Sequence, residues 1–318
     1  MNRHAPTSEN FSAFYHNRVL PSSPNVSVVP MGGLGNQLFI YGVGRALARA
    51  LECQLVVDTS LLSSTEIQVR LGNTPRLFVL NEFSRPDEVV FEHLDTRVRV
   101  NRQLRSMRTK REIPARSHGK SLWYLEESQK RFDPNVFKLP VGTALFGYFQ
   151  SWKYLEPVAG ILRAEISDLI SPSCWFRDFR ASINYPTGTI GVHIRRGDYP
   201  DPIDHHYYRL ALRIAQRLSP QAQILLFSDD PRAGMEVLRL AGVEAMTVSP
   251  PPEASDLESL LLLSSCEIIV TANSTFSWWA GWLASPENVT VIAPRPWHHN
   301  LDLSDQDLIS PNWLTIGR

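Results

Sequence analysis

Four times between Gly188 and Ala293 a short apolar run stops at polar or charged side chains, and a helical pattern follows three of those stops. The runs are Thr189 to Ile194, Gln223 to Phe227, Glu267 to Val270 and Val289 to Ala293, and the helical stretches lie at 207–218, 231–241 and 276–284, with one more at 256–264. Short strands alternating with helices pair in parallel, so this half reads as an α/β sheet. The first half opens on the same unit. A strand at Val26 to Pro30 leads through Gly32-Gly33-Leu34-Gly35-Asn36 into a helix from Gln37 to Leu51 and a strand at Gln54 to Asp58. That order predicts a parallel pair with a right-handed crossover.

Ligands of open α/β sheets bind outside the carboxyl ends of the strands. The four stops therefore carry the candidate site: Arg195, Arg196 and Asp198; Ser228, Asp229 and Asp230; Asn273, Ser274 and Thr275; and Arg295. If the strands are neighbours, these groups share one sheet edge. Charges at the end of a buried strand are costly unless paired. Two adjacent arginines there suit a diphosphate, because guanidinium forks match phosphate oxygens in a bidentate way. Side chains alternate along a strand, so one arginine can face a ligand while the other holds Asp198 or a neighbouring carboxylate. Asn273-Ser274-Thr275 can cap the following helix, and its exposed N–H groups can also bind phosphate.

Size and charge narrow the classes. The 318 residues suffice for two modest domains, and 32 basic against 32 acidic residues leave no net field to gather nucleic acid. Cys53, Cys174 and Cys266 are odd in number and lack CxxC spacing, so they read as small core residues of a reducing compartment. No apolar run approaches the roughly 18 residues of a membrane span. Residues 1–25 lack the apolar core of a secretory signal and read as a loose tail, which places the protein in the cytoplasm, with peripheral contact at the inner face of the membrane left open. The expected division is 26–160 for the first α/β domain, 161–300 for the second, and 301–318 for a terminal segment packing back on the first. Between 101 and 120, seven basic residues face only Glu112, which reads as a solvated loop or a docking patch for anionic partners.

Other motifs are weaker. Gly33 and Gly35 start a dinucleotide fingerprint, but Leu38 occupies its third glycine position, which disfavours a nicotinamide oxidoreductase. Asp305-Gln306-Asp307 is a D-x-D that reads as a solvated turn before it reads as a metal clasp, and His205-His206 and His298-His299 lack zinc spacing. His193 sits within a strand pattern, as a core histidine or as a base.

Taken together, the motifs resemble those of the α-1,2-fucosyltransferases, glycosyltransferase family 11. His193-Ile194-Arg195-Arg196-Gly197-Asp198-Tyr199 is similar to the family's H-x-R-R-G-D-Y, and Gly32-Gly33-Leu34-Gly35-Asn36-Gln37 to its G-G-L-G-N-Q. Tyr148-Phe149-Gln150-Ser151, Phe227-Ser228-Asp229-Asp230 and Asn273-Ser274-Thr275-Phe276-Ser277-Trp278-Trp279 match in order, together spanning about residues 26 to 297. A tryptophan that often follows F-S-D-D is replaced here by Pro231-Arg232-Ala233. The resemblance implies a GT-B-like fold, with two facing Rossmann-like domains and a cleft between them. It implies an inverting enzyme that needs no metal or other cofactor, with GDP-β-L-fucose on the C-terminal domain and a galactose-containing glycan acceptor on the N-terminal one. The implied catalytic residues are Arg195, Asp198, His193 and Asn36. The implied donor-binding residues are Arg195, Arg196, Asp229, Asp230, Asn273, Ser274, Thr275, Phe276, Gly33 and Gly35. Lack of a membrane anchor resembles the bacterial members, which build surface glycans.

Overall fold

A computed structural model describes residues 24–70, 74–94, 122–126, 131–182, 188–197, 201–284, 289–298 and 305–318. Asp198, most of the 1–25 tail and the basic 101–120 stretch lie outside these residues.

The first sheet is built from β1 (Asn25–Val28), β2 (Gln54–Asp58), β3 (Val89–Glu92), β4 (Leu122–Leu125) and β5 (Thr143–Phe146), in the order β3-β2-β1-β5-β4. The second contains β6 (Thr189–Ile194), β7 (Gln223–Ser228), β8 (Met246–Thr247), β9 (Ile268–Val270), β10 (Thr290–Arg295) and β11 (Leu314–Gly317), in the order β11-β10-β9-β6-β7-β8. Every pairing is parallel. All six residues of β6 are buried, as expected of a central strand covered on both faces.

The helices are α1 (Leu34–Ala50), α2 (Thr65–Arg70), α3 (Trp152–Leu155), α4 (Ala159–Ser167), α5 (Cys174–Ser182), α6 (His205–Leu218), α7 (Pro231–Ala241), α8 (Asp256–Ser264) and α9 (Thr275–Leu283). Caps fix several ends. Asp204, Asp230, Ser255 and Ser274 each accept a backbone N–H from the first turn that follows. Gly242 closes α7 at φ +76°, a conformation that favours glycine. The start of α1 departs from the expected Gln37. Gly33 holds the cap position, and its carbonyl accepts from Asn36 and Gln37, so Gly35 and Asn36 belong to the first turn.

Strand order sets where the site falls. In the second sheet the chain moves from β6 to β7 on one side and returns to β9 on the other, so the order reverses between β6 and β9. In the first sheet β1 has β2 on one side and β5 on the other. A crevice opens outside the strand ends at such a reversal. Both reversals deliver motif residues there: Arg195 after β6, Asn273 after β9, the glycine loop after β1 and Gln150 after β5.

The halves are joined by α1 and α9. Phe39 lies 4.4 Å from Trp278 and 5.2 Å from Trp279, ring centre to ring centre. The Trp279 indole N–H donates to the Gly35 carbonyl at 2.8 Å and that of Trp278 to the Leu308 carbonyl at 2.7 Å, which satisfies both buried donors. Glu165 of α4 accepts from Tyr41 and Arg45 of α1 at 2.6 Å, and Arg163 of the same helix donates to the Trp282 carbonyl of α9 at 2.9 Å, so α4 touches both halves. The end of the chain serves both halves. Asp307 reaches Lys153 and the Phe132 amide in the first, whereas β11 adds an edge strand to the second sheet.

Candidate active site

A cavity of about 540 Å³ lies where the two strand-order reversals face each other, and both halves contribute to its wall. From the first come Gly33, Gly35, Asn36, Arg76 and Gln150. From the second come His193, Arg195, Asp229, Asn273 and the Ser274–Phe276 turn.

The twin arginines part ways, as strand alternation requires. Arg195 lines the cavity, and its guanidinium meets the Asp229 carboxylate at 2.8 Å. Arg196 turns into the protein and donates to the Ile203 carbonyl at 2.8 Å, while its backbone N–H donates to Asp229 at 2.8 Å. Its side chain therefore holds the loop leading to α6. Asp229 braces both arginines, and a Cβ on Gly197 would come within 2.4 Å of its carboxylate. Asp230 does not line the cavity; it caps α7 by accepting the Ala233 N–H at 3.0 Å.

Two helices start at the cavity. Ser274 caps α9 by accepting the Phe276 N–H at 3.3 Å, leaving other first-turn donors facing the space. The Gly33 cap of α1 has no side-chain acceptor, so its first N–H groups are also offered. Helix N-termini carry partial positive charge, and two of them at one cavity favour an anion. Asn36 accepts from Gln150 at 2.8 Å, which fixes its amide at the entrance of α1.

His193 is buried beside Phe276, ring centres 5.1 Å apart. Burial, with a smaller push from the Arg195 charge, lowers its pKa to about 3. A ring held there stays neutral and is a weak proton acceptor. Its Nδ1 is buried with no hydrogen-bond partner among the described residues, a polar atom left over at the cavity wall. Asp204 caps α6 and lies outside the cavity wall; the His206 N–H, foremost, holds its carboxyl below the usual range. It forms with His205 and His206 a group whose ligand atoms lie within 4.8 Å of one another, away from the cavity. Arg295 remains in β10, faces Asp305 at 3.5 Å and is not part of the wall.

Sequence reasoning missed several wall residues. Arg76 lies on an irregular loop without periodic signal, and Val248 and Pro250 follow β8 while Asp256 and Ser259 belong to the first turn of α8. Trp297 and His298 follow a strand end, which was their signal.

Two parallel α/β sheets facing one cavity across their strand ends make a GT-B-like glycosyltransferase architecture. The chain belongs to glycosyl transferase family 11, whose model matches residues 25–317. It is 28% identical over 307 residues to the O-antigen biosynthesis glycosyltransferase WbnK of Escherichia coli, covering 90% of this chain and 98% of that protein. It is 25% identical over 305 residues to an Escherichia coli alpha-1,2-colitosyltransferase, covering 90% of this chain and 97% of the relative. A galactoside 2-alpha-L-fucosyltransferase of Caenorhabditis elegans is 25% identical over 185 residues, 54% of this chain and 51% of the relative. In fold, the chain is similar to an Arabidopsis thaliana FUT1 variant in complex with GDP, with TM-score 0.50 and 14% identity over 92% of this chain and 74% of that one. Among the described residues no helix is long and apolar enough to cross a membrane.

Proposed function

We propose that this glycosyltransferase moves L-fucose from GDP-β-L-fucose to the 2-OH of a galactoside, inverting the donor to form an α-1,2 linkage during assembly of a bacterial surface glycan. One observation carries the reading: the Arg195 guanidinium and the starts of α1 and α9 share one cavity wall, a site for the diphosphate of a nucleotide sugar. The Asp256 carboxylate of the cavity wall suits the adjacent N–H donors of guanine.

As the glycosidic bond breaks, the sugar becomes cation-like and charge accumulates on the leaving GDP. Arg195, braced by Asp229, meets that charge with a preset fork. A preorganised donor of this kind contributes roughly 3 to 4 kcal/mol to the transition state. Neutral His193 offers a hydrogen bond beside the phosphates, Asn36 with Gln150 orients the acceptor, and Asp198, two residues past Arg196 in sequence, takes the acceptor proton. No step of this scheme uses a metal or cofactor.

A second donor is favoured by one finding, the likeness to a colitosyltransferase over nearly the whole chain. Calorimetric titration with GDP, UDP and NAD, with and without EDTA, tests the nucleotide. GDP alone binds, with or without chelator, if the reading holds; a preference for UDP or NAD overturns it. Product linkage analysis with GDP-fucose and a panel of galactosides then tests the sugar and the bond formed.

A further inference from the structure

The first half of the chain holds a cation at the cavity in a way a platform for a neutral sugar does not require. Arg76 reaches the wall from the loop before Leu80. Two buried glutamines fix that loop, Gln37 fully buried and Gln68 at 3% exposure. Gln68 accepts the Arg76 N–H at 2.7 Å and donates to the Arg76 carbonyl at 3.1 Å and to the Leu62 carbonyl at 3.2 Å. Gln37 donates to the Leu77 carbonyl at 2.7 Å and accepts from the Val79 N–H at 3.1 Å. The same Gln37 amide donates to the Gly32 carbonyl at 3.0 Å, which ties the Arg76 loop to the glycine loop that starts α1. Buried amides with every polar atom engaged set a backbone rigidly. The backbone that carries Arg76 is therefore held in place and tied through Gln37 to the glycine loop, where α1 starts without a side-chain cap.

Charge says what it is for. Among the described wall residues the guanidinium groups are Arg76 and Arg195, and the carboxylates are Asp229 and Asp256. Arg195 is already matched by Asp229 at 2.8 Å. A diphosphate brings more negative charge than that pair can offset. We propose that Arg76 grips the donor diphosphate from the first half, opposite Arg195, so that donor binding bridges the two halves of the molecule. This rests on the nucleotide-diphosphate reading above and extends it, adding a guanidinium from the first half to the helix start that the same half already offers the diphosphate.

The test compares GDP with GMP, which lacks the outer phosphate, on the full chain and on Arg76→Gln and Arg76→Lys. The glutamines hold the backbone of this loop, so neither substitution removes their clamp. The expected result is a loss of about tenfold or more in GDP affinity for Arg76→Gln with a much smaller loss for GMP, partly restored by lysine. A GDP-to-GMP ratio unchanged in Arg76→Gln overturns the inference, whether both affinities hold (the residue then serves the acceptor) or both fall together (its role is then structural). Failure of the unaltered chain to bind GDP overturns the donor reading and this inference with it.

Discussion

Gly35 and Thr275 touch backbone to side-chain-free backbone: a Cβ built on Gly35 would lie 2.5 Å from the Thr275 carbonyl carbon. The first turns of α1 and α9, one from each half, thus meet at the cavity with no room for a methyl group. The two nearest atoms are main chain and cannot swing aside, and the third is the Thr275 hydroxyl at 2.7 Å. Gly35→Ala is expected to cost about 1 to 3 kcal/mol in stability through overpacking. It should also push the two helix starts apart and weaken GDP binding. Denaturant unfolding and GDP titration of the variant check both effects, and a variant with parental stability and affinity would show that the contact tolerates a side chain.

The divergence of Arg195 and Arg196 separates their variants. Arg195→Lys keeps the charge and loses the fork, so turnover should fall by about a hundredfold or more while unfolding changes little. Arg196→Lys loses its hold on the Ile203 carbonyl, so its effect should appear in stability first. Steady-state transfer assays beside unfolding curves distinguish the two, and equal turnover losses with equal destabilisation would contradict the separation.

Much of the second half was legible because its signals are local. Asp230 with Gly242, and Ser255 with Glu258, mark their helix ends within a few residues, and α7 and α8 fall where the pattern puts them. The start of α1 falls ahead of the expected Gln37 because its cap is Gly33, which offers no side-chain signal. Arg76 was invisible for a different reason. It is positioned by amides from Gln68 and from Gln37, the latter bonding to residues about forty positions away, and nothing in a linear pattern encodes such a contact. Asp230 illustrates the converse: a carboxylate at a strand end offers itself to a ligand in the linear pattern, and in the fold it caps α7 by accepting the Ala233 N–H.

His193 should leave a mark on stability against pH. Its ordinary pKa is 6.5, and burial lowers it to about 3 in the folded chain. The unfolded ring takes a proton below 6.5, and the folded ring does not until about 3. Its contribution to stability is therefore intact above 6.5 and is lost as pH falls from 6.5 towards 3, by about 1.4 kcal/mol per unit. His193→Gln removes this dependence. Between pH 6 and pH 5 the parent should lose about that much more unfolding free energy than the variant, and parallel profiles would count against a buried neutral ring.

The two aspartates of the D-x-D bind protein groups, and each makes a different prediction. Asp305 accepts the Trp297 N–H at 3.0 Å and faces Arg295, which pins the segment that puts Trp297 and His298 on the cavity wall. Asp307 accepts from Lys153 at 2.5 Å and from the Phe132 N–H at 3.1 Å, so it fastens the end of the chain to the first half. Asp307 is largely shielded, and a charge-assisted bond in such a place contributes roughly 1.5 to 3 kcal/mol. Asp307→Ala should therefore lower stability by about that amount, with Lys153→Met giving a smaller loss and the double variant little more than Asp307→Ala alone. Asp305→Ala should spare most of the stability and loosen the Trp297 segment, so that substrate KM rises more than turnover falls. A metal clasp predicts the reverse for both: divalent ions would then raise the unfolding midpoint of the parent, and the Asp305 and Asp307 variants would lose that response together.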